Sequence, residues 1–325
     1  MAQPSNTFDS YDAVGIREDL SEVITNLSPE DTPFYSKTKK VKVANTFVEW
    51  QTDTLRSSAD NAHIEGDETT SEARTATTRL GSYTQIFKNS VSIPDTDAGL
   101  KKAGRASEMA YQMLKVAKEQ KLDVEKALFS NTARNAGNST TTARRLAGVP
   151  TWLTTNTSFV TGGVTDGADP TGDGTDTRTD SSDQEAFSQT KFDTVMQSIW
   201  EQGGKPQSVY LSAFQMQTAV DNFTGMNNQR STIGAAVGGN NSVVSALDVY
   251  VTSFGTVSFI PSREHRSRDV FIMSDEYWTI GNLRPTRNTE LAKTGDSSRR
   301  QVITELTLMC NSEVAHGAIY DCTTS

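Results

Sequence analysis

The sequence predicts an α+β molecule built in segments, with projecting parts that a single chain cannot cover. Three observations predict it. Only 35% of the 325 residues are hydrophobic and mean hydropathy is −0.51, which favours an extended, segmented molecule over one dense globule. Threonine is the commonest residue, and it favours strands and hydroxyl-rich surfaces. One long helical seam, near residues 105–129, separates strand-like stretches from a second unit that mixes helices and strands. The length leaves room for two or three core-bearing units.

Residues 1–45 are acidic and polar around one amphipathic patch. Ile16, Leu20, Val23, Ile24 and Leu27 make a helical stripe that Pro29 and Pro33 stop, and residues 28–34 read as an extended or turn segment. A single short helix cannot bury its own face, so this stripe needs a partner surface. Residues 47–55 and 80–93 read as two long strands, with Val48 and Trp50, then Tyr83, Phe87, Val91 and Ile93, at even spacing. Between them residues 56–77 hold only Ile64 and some alanines as apolar material. So long a polar loop needs a job, and a two-stranded ribbon is marginal alone, so this arm should rest on something else.

Met109, Met113, Val116, Ala117, Val124 and Leu128 form the seam of the strongest helix, uninterrupted by Pro or Gly and about 40 Å long at 1.5 Å per residue. Residues 131–187 are the weakest folding material. They hold an apolar island, Leu146-Ala147-Gly148-Val149-Pro150-Thr151-Trp152-Leu153, then a Thr, Gly and Asp-rich run at 156–183 that reads as an exposed insertion or long mobile loop. Residues 188–275 form the α/β unit. Thr190-Lys191-Phe192-Asp193 fits a capping box ahead of Phe192, Val195, Met196, Ile199 and Trp200. A strand at 209–211 and a helix capped by Ser212 follow. A Gly/Asn-rich loop at 224–241 then precedes strands at 247–253, 257–260 and 270–273. In residues 276–325 the segment 301–309 alternates cleanly, with 315–322 as its expected hairpin partner.

Charge and motifs narrow the function. The net charge of −9, from 31 basic against 40 acidic residues, argues against a protein that coats nucleic acid. The start, Met-Ala-Gln-Pro-Ser-Asn, lacks the features of a signal peptide, and no window is apolar enough to span a membrane. Cys310 and Cys322 are too few for a disulfide scaffold; their spacing allows pairing across adjacent strands, and buried free thiols are the state expected in a reducing cytoplasm. No nucleophile elbow, phosphate loop, dinucleotide fingerprint or zinc-protease motif is present. His63, His265 and His316 lie in different segments and read as ordinary histidines, His265 within a solvated basic turn. The aspartates of 166–176 match neither calcium-loop spacing, so no metal or cofactor is expected. The densest basic cluster is Lys37, Lys39, Lys40 and Lys42, either a solvated strand end or a contact between subunits or near DNA.

Several stretches, taken in order, resemble the major capsid proteins of tailed bacteriophages. They are Arg17-Glu18-Asp19-Leu20 with Ser28-Pro29-Glu30-Asp31-Thr32-Pro33-Phe34, Leu146-Ala147-Gly148-Val149-Pro150-Thr151-Trp152, and Trp200-Glu201-Gln202-Gly203-Gly204-Lys205-Pro206. Glu290-Leu291-Ala292-Lys293-Thr294-Gly295-Asp296 with Gln301-Val302-Ile303-Thr304-Glu305-Leu306 completes the set. None is a catalytic signature. The resemblance runs from about Phe8 to Tyr320 and implies an N-terminal arm (1–45), a β-hairpin arm or E-loop (46–95) and a P-domain with a spine helix (96–135). The polar insertion (136–187), an A-domain (188–275) and a return to the P-domain sheet (276–325) follow.

It further implies a virion protein assembled in the host cytoplasm, building an icosahedral shell from hexamers and pentamers of itself. Portal, scaffolding or decoration proteins would be its neighbours, and packaged DNA would lie near the inner face without specific binding. The loop at 224–241 would point to the capsomer centre. The residues assigned to contacts between copies are Leu20, Val23, Ile24, Leu27, Phe34, Lys39, Lys40, Trp50, Tyr83 and Phe87. Two other readings stay open, a cellular nanocompartment shell of the same fold and a soluble hydrolase using His265 or His316.

Overall fold

A computed structural model describes residues 31–56, 58–68, 71, 73–100, 102, 107–138, 140–223 and 249–324. Its helices are α1 (Pro33–Lys37), α2 (Asp95–Gly99), α3 (Glu108–Phe129), α4 (Gln189–Glu201) and α5 (Ala213–Asn222). Its strands are β1 (Lys39–Lys42), β2 (Phe47–Thr52), β3 (Thr78–Tyr83), β4 (Gln85–Pro94), β5 (Thr157–Ser158) and β6 (Ser208–Leu211). They continue as β7 (Val249–Thr252), β8 (Gly255–Pro261), β9 (Val270–Met273), β10 (Trp278–Leu291), β11 (Ser297–Cys310) and β12 (Gly317–Ile319). The stripe residues Leu20, Val23, Ile24 and Leu27, and the loop at 224–241, lie outside the described residues.

The alternation at 301–309 belongs to β11, the organising strand of a four-stranded sheet of order β1-β10-β11-β4. Its Val302, Leu306, Leu308 and Cys310 are buried. α3 lies against β11 and β4, with Met113 and Val116 on Val302 and with Val124, Leu128 and Phe129 in the main core. Gln120 is buried and its Nε2 donates 2.9 Å to the Phe87 carbonyl, satisfying a backbone acceptor of β4. Ser107 caps α3, accepting from the Ala110 N–H. At 22 residues α3 spans about 33 Å, shorter than expected because this cap sets its start at Glu108.

The second sheet has order β5-β12-β9-β6-β8-β7, with β6 and β9 fully buried at its centre. Phe192, Val195, Met196 and Ile199 of α4 and Ala219 and Val220 of α5 pack with it. The caps here are Ser212, as expected, and Ser188 rather than Thr190. Residues 315–322 do not form a hairpin with β11. β12 pairs instead with β9 and β5, carrying the chain end into the second sheet. The 14-residue β10 went unread because bulges between Asn282, Arg284 and Arg287 interrupt its alternation.

Two further expectations fail for physical reasons. The stretch at 80–93 is not one strand: β3 ends at Tyr83 and pairs with β2, whereas β4 begins at Gln85 and pairs with β11. Residues 156–183 are no floppy insertion. Arg178, within this run, is fully buried, and its guanidinium meets the Asp321 carboxylate at 2.5 Å and stacks 4.0 Å over the Tyr320 ring. Arg268 and the Ser181 N–H also donate to Asp321, at 2.6 and 3.0 Å, and Asp180 bridges Arg178 and Arg266. A Thr/Gly/Asp-rich composition hid a polar core rather than the lack of one.

Phe34 stands at the join of both sheets and α3. It is fully buried among Phe129, Tyr210 and Trp278, at ring distances of 5.1, 5.3 and 6.0 Å. The Phe34 and Tyr35 N–H groups donate to the two oxygens of Glu125 on α3, at 3.0 and 2.7 Å. Phe34→Ala is expected to cost about 3–5 kcal/mol in chemical denaturation, the range for emptying a buried aromatic site.

Burial pushes the Glu125 carboxyl up to about 7, against an ordinary 4.5. A carboxyl raised by folding binds more protons folded than unfolded, so its contribution is most favourable below 4.5 and is lost as pH climbs through 7. Glu125→Gln is expected to flatten the fall in stability between pH 5 and 8, read by denaturant midpoints across that range.

Candidate assembly surface

The ribbon β2–β3 is anchored at its base. Trp50 packs, tilted, at 5.4 Å from buried Trp152, and its Nε1–H donates 2.7 Å to the Cys310 carbonyl. Phe47 and Tyr83 face each other at 4.6 Å, in the register that pairs them across the ribbon. Arg134 donates to the Gly81 carbonyl and covers the Phe47 ring. A Cβ at Gly81 would sit 2.6 Å from Phe47 Cζ, so a larger residue there would displace this ring. Below the ribbon, Thr84 is fully buried and donates 2.8 Å to Glu305, which also receives Arg144 and Arg284. Burial opposes ionisation of Glu305, but the hydrogen bonds of Thr84 and Arg284 and the two arginine charges outweigh it and hold the carboxyl below its ordinary value. This clamp fixes the corner where β3 becomes β4.

Every described residue from 53 to 77 is exposed, including Leu55 at 97% and Ile64 at 85%. The sequence gives this limb six carboxylates against two arginines. Apolar exposure recurs on the second sheet, where Trp200 and Phe254 pair at 5.6 Å beside the outer strand β7 with its exposed Val249 and Val251.

The residues assigned to contacts between copies therefore divide. Lys39 and Lys40 are exposed on β1. Phe34 and Phe87 are corrected: both are buried in their own chain, Phe34 because three aromatic rings enclose it and Phe87 because it joins the same core. Trp50 and Tyr83 are half-buried at the base of the ribbon rather than along its free length. Sequence reasoning missed the Glu305 clamp and the Asp321 cluster. The available signal was a carboxylate inside the apolar alternation of 301–309, where an unpaired charge would be too costly to bury.

Among the described residues no group of His, Cys, Asp or Glu is placed to hold a metal ion, and no helix is long and apolar enough to cross a membrane. Cys310 and Cys322 are free and buried, and burial pushes the Cys322 thiol up to about 12. His265 is not in a solvated turn. It is packed between Phe129 and Phe271, at 4.7 and 4.8 Å, and burial pulls it down to about 3. His316 is equally buried, stacks on Trp278, and receives the Ser274 N–H on its Nδ1. Among the described residues neither ring is hydrogen-bonded to a hydroxyl nucleophile.

The chain is 40% identical over 135 residues to the major capsid protein of Escherichia phage Phieco32, an alignment covering 41% of this chain and 38% of that relative's length. Its fold matches a chain of the cyanophage A-1(L) capsid with a TM-score of 0.63 at 9% identity, covering 95% of this chain and 97% of that one. It also matches the encapsulin SrpI of Synechococcus elongatus PCC 7942, with a TM-score of 0.55 at 8% identity over 95% and 94% of the two chains. The SU10 major capsid protein family model matches residues 3–323. With a match from nearly one end to the other, this chain belongs to the SU10 major capsid protein family.

Proposed function

We propose that this chain is the major capsid protein of a tailed phage, assembling with copies of itself into the hexamers and pentamers of an icosahedral head around double-stranded DNA. The observation that carries the reading is the limb at 53–77, an acidic, partly apolar arm exposed along all its described residues. Such an arm acquires a role only on another surface. Arms crossing neighbours make each copy multivalent, and many modest contacts sum to a strong shell through effective concentration. Residues 1–45 supply a second arm, 46–95 the E-loop, and 96–135 the spine helix. Residues 188–275 supply the A-domain and 276–325 the return to the P-domain. Portal, scaffolding or decoration proteins are the further partners, and the acidic balance keeps the inner wall from gripping DNA.

Negative-stain microscopy of the purified protein is the test. Closed shells of uniform size support the reading, and a dispersed monomer overturns it. A chain lacking residues 1–30 probes the N-terminal arm without removing Phe34 from the core. It is expected to stay folded and lose normal particles. The likeness to an encapsulin keeps one other reading in play, a nanocompartment. Particles filled with enzyme cargo rather than DNA would favour it.

A further inference from the structure

β3 becomes β4 across one residue. Tyr83 closes the ribbon and Gln85 opens the strand paired with β11, so Thr84 alone joins the two strands at this corner. Its three polar groups are each held by a different part of the chain. The N–H donates 2.8 Å to the Thr46 carbonyl, just ahead of β2. The carbonyl accepts Arg144 Nε–H at 2.7 Å, and the hydroxyl donates 2.8 Å to Glu305 on β11. The Arg144 guanidinium also reaches Glu305, which ties the three together. A short link between two packed bodies is where a chain ordinarily bends. Here that link is pinned.

Charge balance does not require Arg144. Arg284 already pairs with Glu305 at 2.7 Å, so what Arg144 adds is the bond to the Thr84 carbonyl. A pin alone leaves the ribbon free to tilt about it, and Trp50 removes that freedom. Its indole N–H donates to the Cys310 carbonyl, at the end of β11. Leu80, its partner across the ribbon, stands four residues from Thr84, about 13 Å along an extended strand. Two fixed points define a direction. The limb at 53–77, folded back on itself, reaches at most about 40 Å further, so a slip of about 1 Å at Trp50 can grow to about 4 Å at its end.

Resting on the reading that arms cross between copies, we propose that Arg144 and Trp50 are positioning residues. They fix the angle at which the ribbon leaves the body, and that angle sets the curvature, and so the diameter, of the shell. A built contact is held to about 0.5 Å, so an angle left loose is passed on as variation in how neighbours meet.

Pulsed electron resonance between spin labels at Gln51→Cys and Leu114→Cys, both exposed positions, reads the ribbon against α3 in dispersed chains. The native Cys310 and Cys322 are buried and stay unlabelled. Arg144→Lys keeps the charge but loses the fork that serves two acceptors at once. Trp50→Phe keeps a ring against Trp152 but loses the indole N–H. Each change is expected to widen the distance distribution, and the two together to widen it at least about twofold. Lys293→Gln, which breaks an exposed ion pair with Asp95 at the other end of β4, should leave the width unchanged.

Microscopy gives the second readout. The parent should form shells of one diameter, and the double variant mixed diameters and open sheets, with the uniform shells reduced about tenfold. A double variant as narrow in distance as the parent overturns the proposal. So does one whose distribution widens while its shells keep the parental diameter. Denaturant midpoints show which variants are folded, and Thr84→Val, which removes only the hydroxyl bond to Glu305, replaces the double variant if that one is not, with the same outcomes. Absence of shells from the parent itself sinks the underlying reading instead, and the distance widths keep the two failures apart.

Discussion

A chain in which residues 53–77 are replaced by Asn-Gly is expected to fold as stably as the parent and to lose closed shells. Thr52 and Thr78 are opposite one another in the ribbon register, so a two-residue turn closes the hairpin without disturbing its base. The deleted residues that are described are all exposed, so their removal takes little from the core of the single copy. Trp50, Phe47, Tyr83 and the Glu305 clamp remain, and they carry the anchoring. Assembly suffers much more, because the same contact is lost at every copy of a multivalent lattice. A fall in particle yield of about a hundredfold or more is expected, on the scale by which avidity exceeds single contacts. Denaturant midpoints read the first outcome, and sedimentation with microscopy reads the second.

Asp321→Asn is expected to have the largest effect on the fold itself. Asp321 receives Arg178, Arg268 and the Ser181 N–H, and both it and Arg178 have fully buried side chains. Neutralising one partner strands an arginine charge in the interior, a change that costs about 3–5 kcal/mol. The substitution isolates that effect, because Asp321 sits at φ 58° and asparagine tolerates this left-handed backbone as well as aspartate does.

Burial opposes ionisation of Asp321, yet the Arg178 hydrogen bonds and charge, with Ser181 and Arg268, outweigh it and hold the carboxyl below its ordinary value. A carboxyl lowered by folding stabilises above its unfolded pKa and loses that effect as pH falls through the folded value. The parent should therefore approach the variant in stability only in strong acid. Hydrogen exchange should locate the damage in residues 156–185, because the Glu185 N–H is bonded to the Asp321 carbonyl at 2.9 Å.

The sequence disclosed those parts of the fold in which apolar periodicity decides structure. α3, α4, α5, β6, β9 and β11 were all readable from spacing, because each buries one regular face or is apolar throughout. The limb was legible as a polar excursion between strand-like flanks. Polar architecture stayed hidden. Nothing local marks Arg178 as the partner of Asp321, since 143 residues separate them and the run around Arg178 has the composition of a surface loop. Phe34 misled for a related reason. Its neighbours Pro33 and Lys37 suggested an exposed arm, whereas long-range rings from α3, β6 and β10 enclose it. Register was equally opaque, because the break at Thr84 depends on Glu305, 221 residues away.

The central claim is that the exposed limb is satisfied only by other copies. Hydrogen exchange at residues 53–77, compared between shells and chains held apart at low concentration, tests it most directly. Amides that lie against a neighbour should exchange at least about tenfold more slowly in shells, as expected when a segment's opening is opposed by contacts made elsewhere. Equal and rapid exchange in intact shells and in separated chains would contradict it.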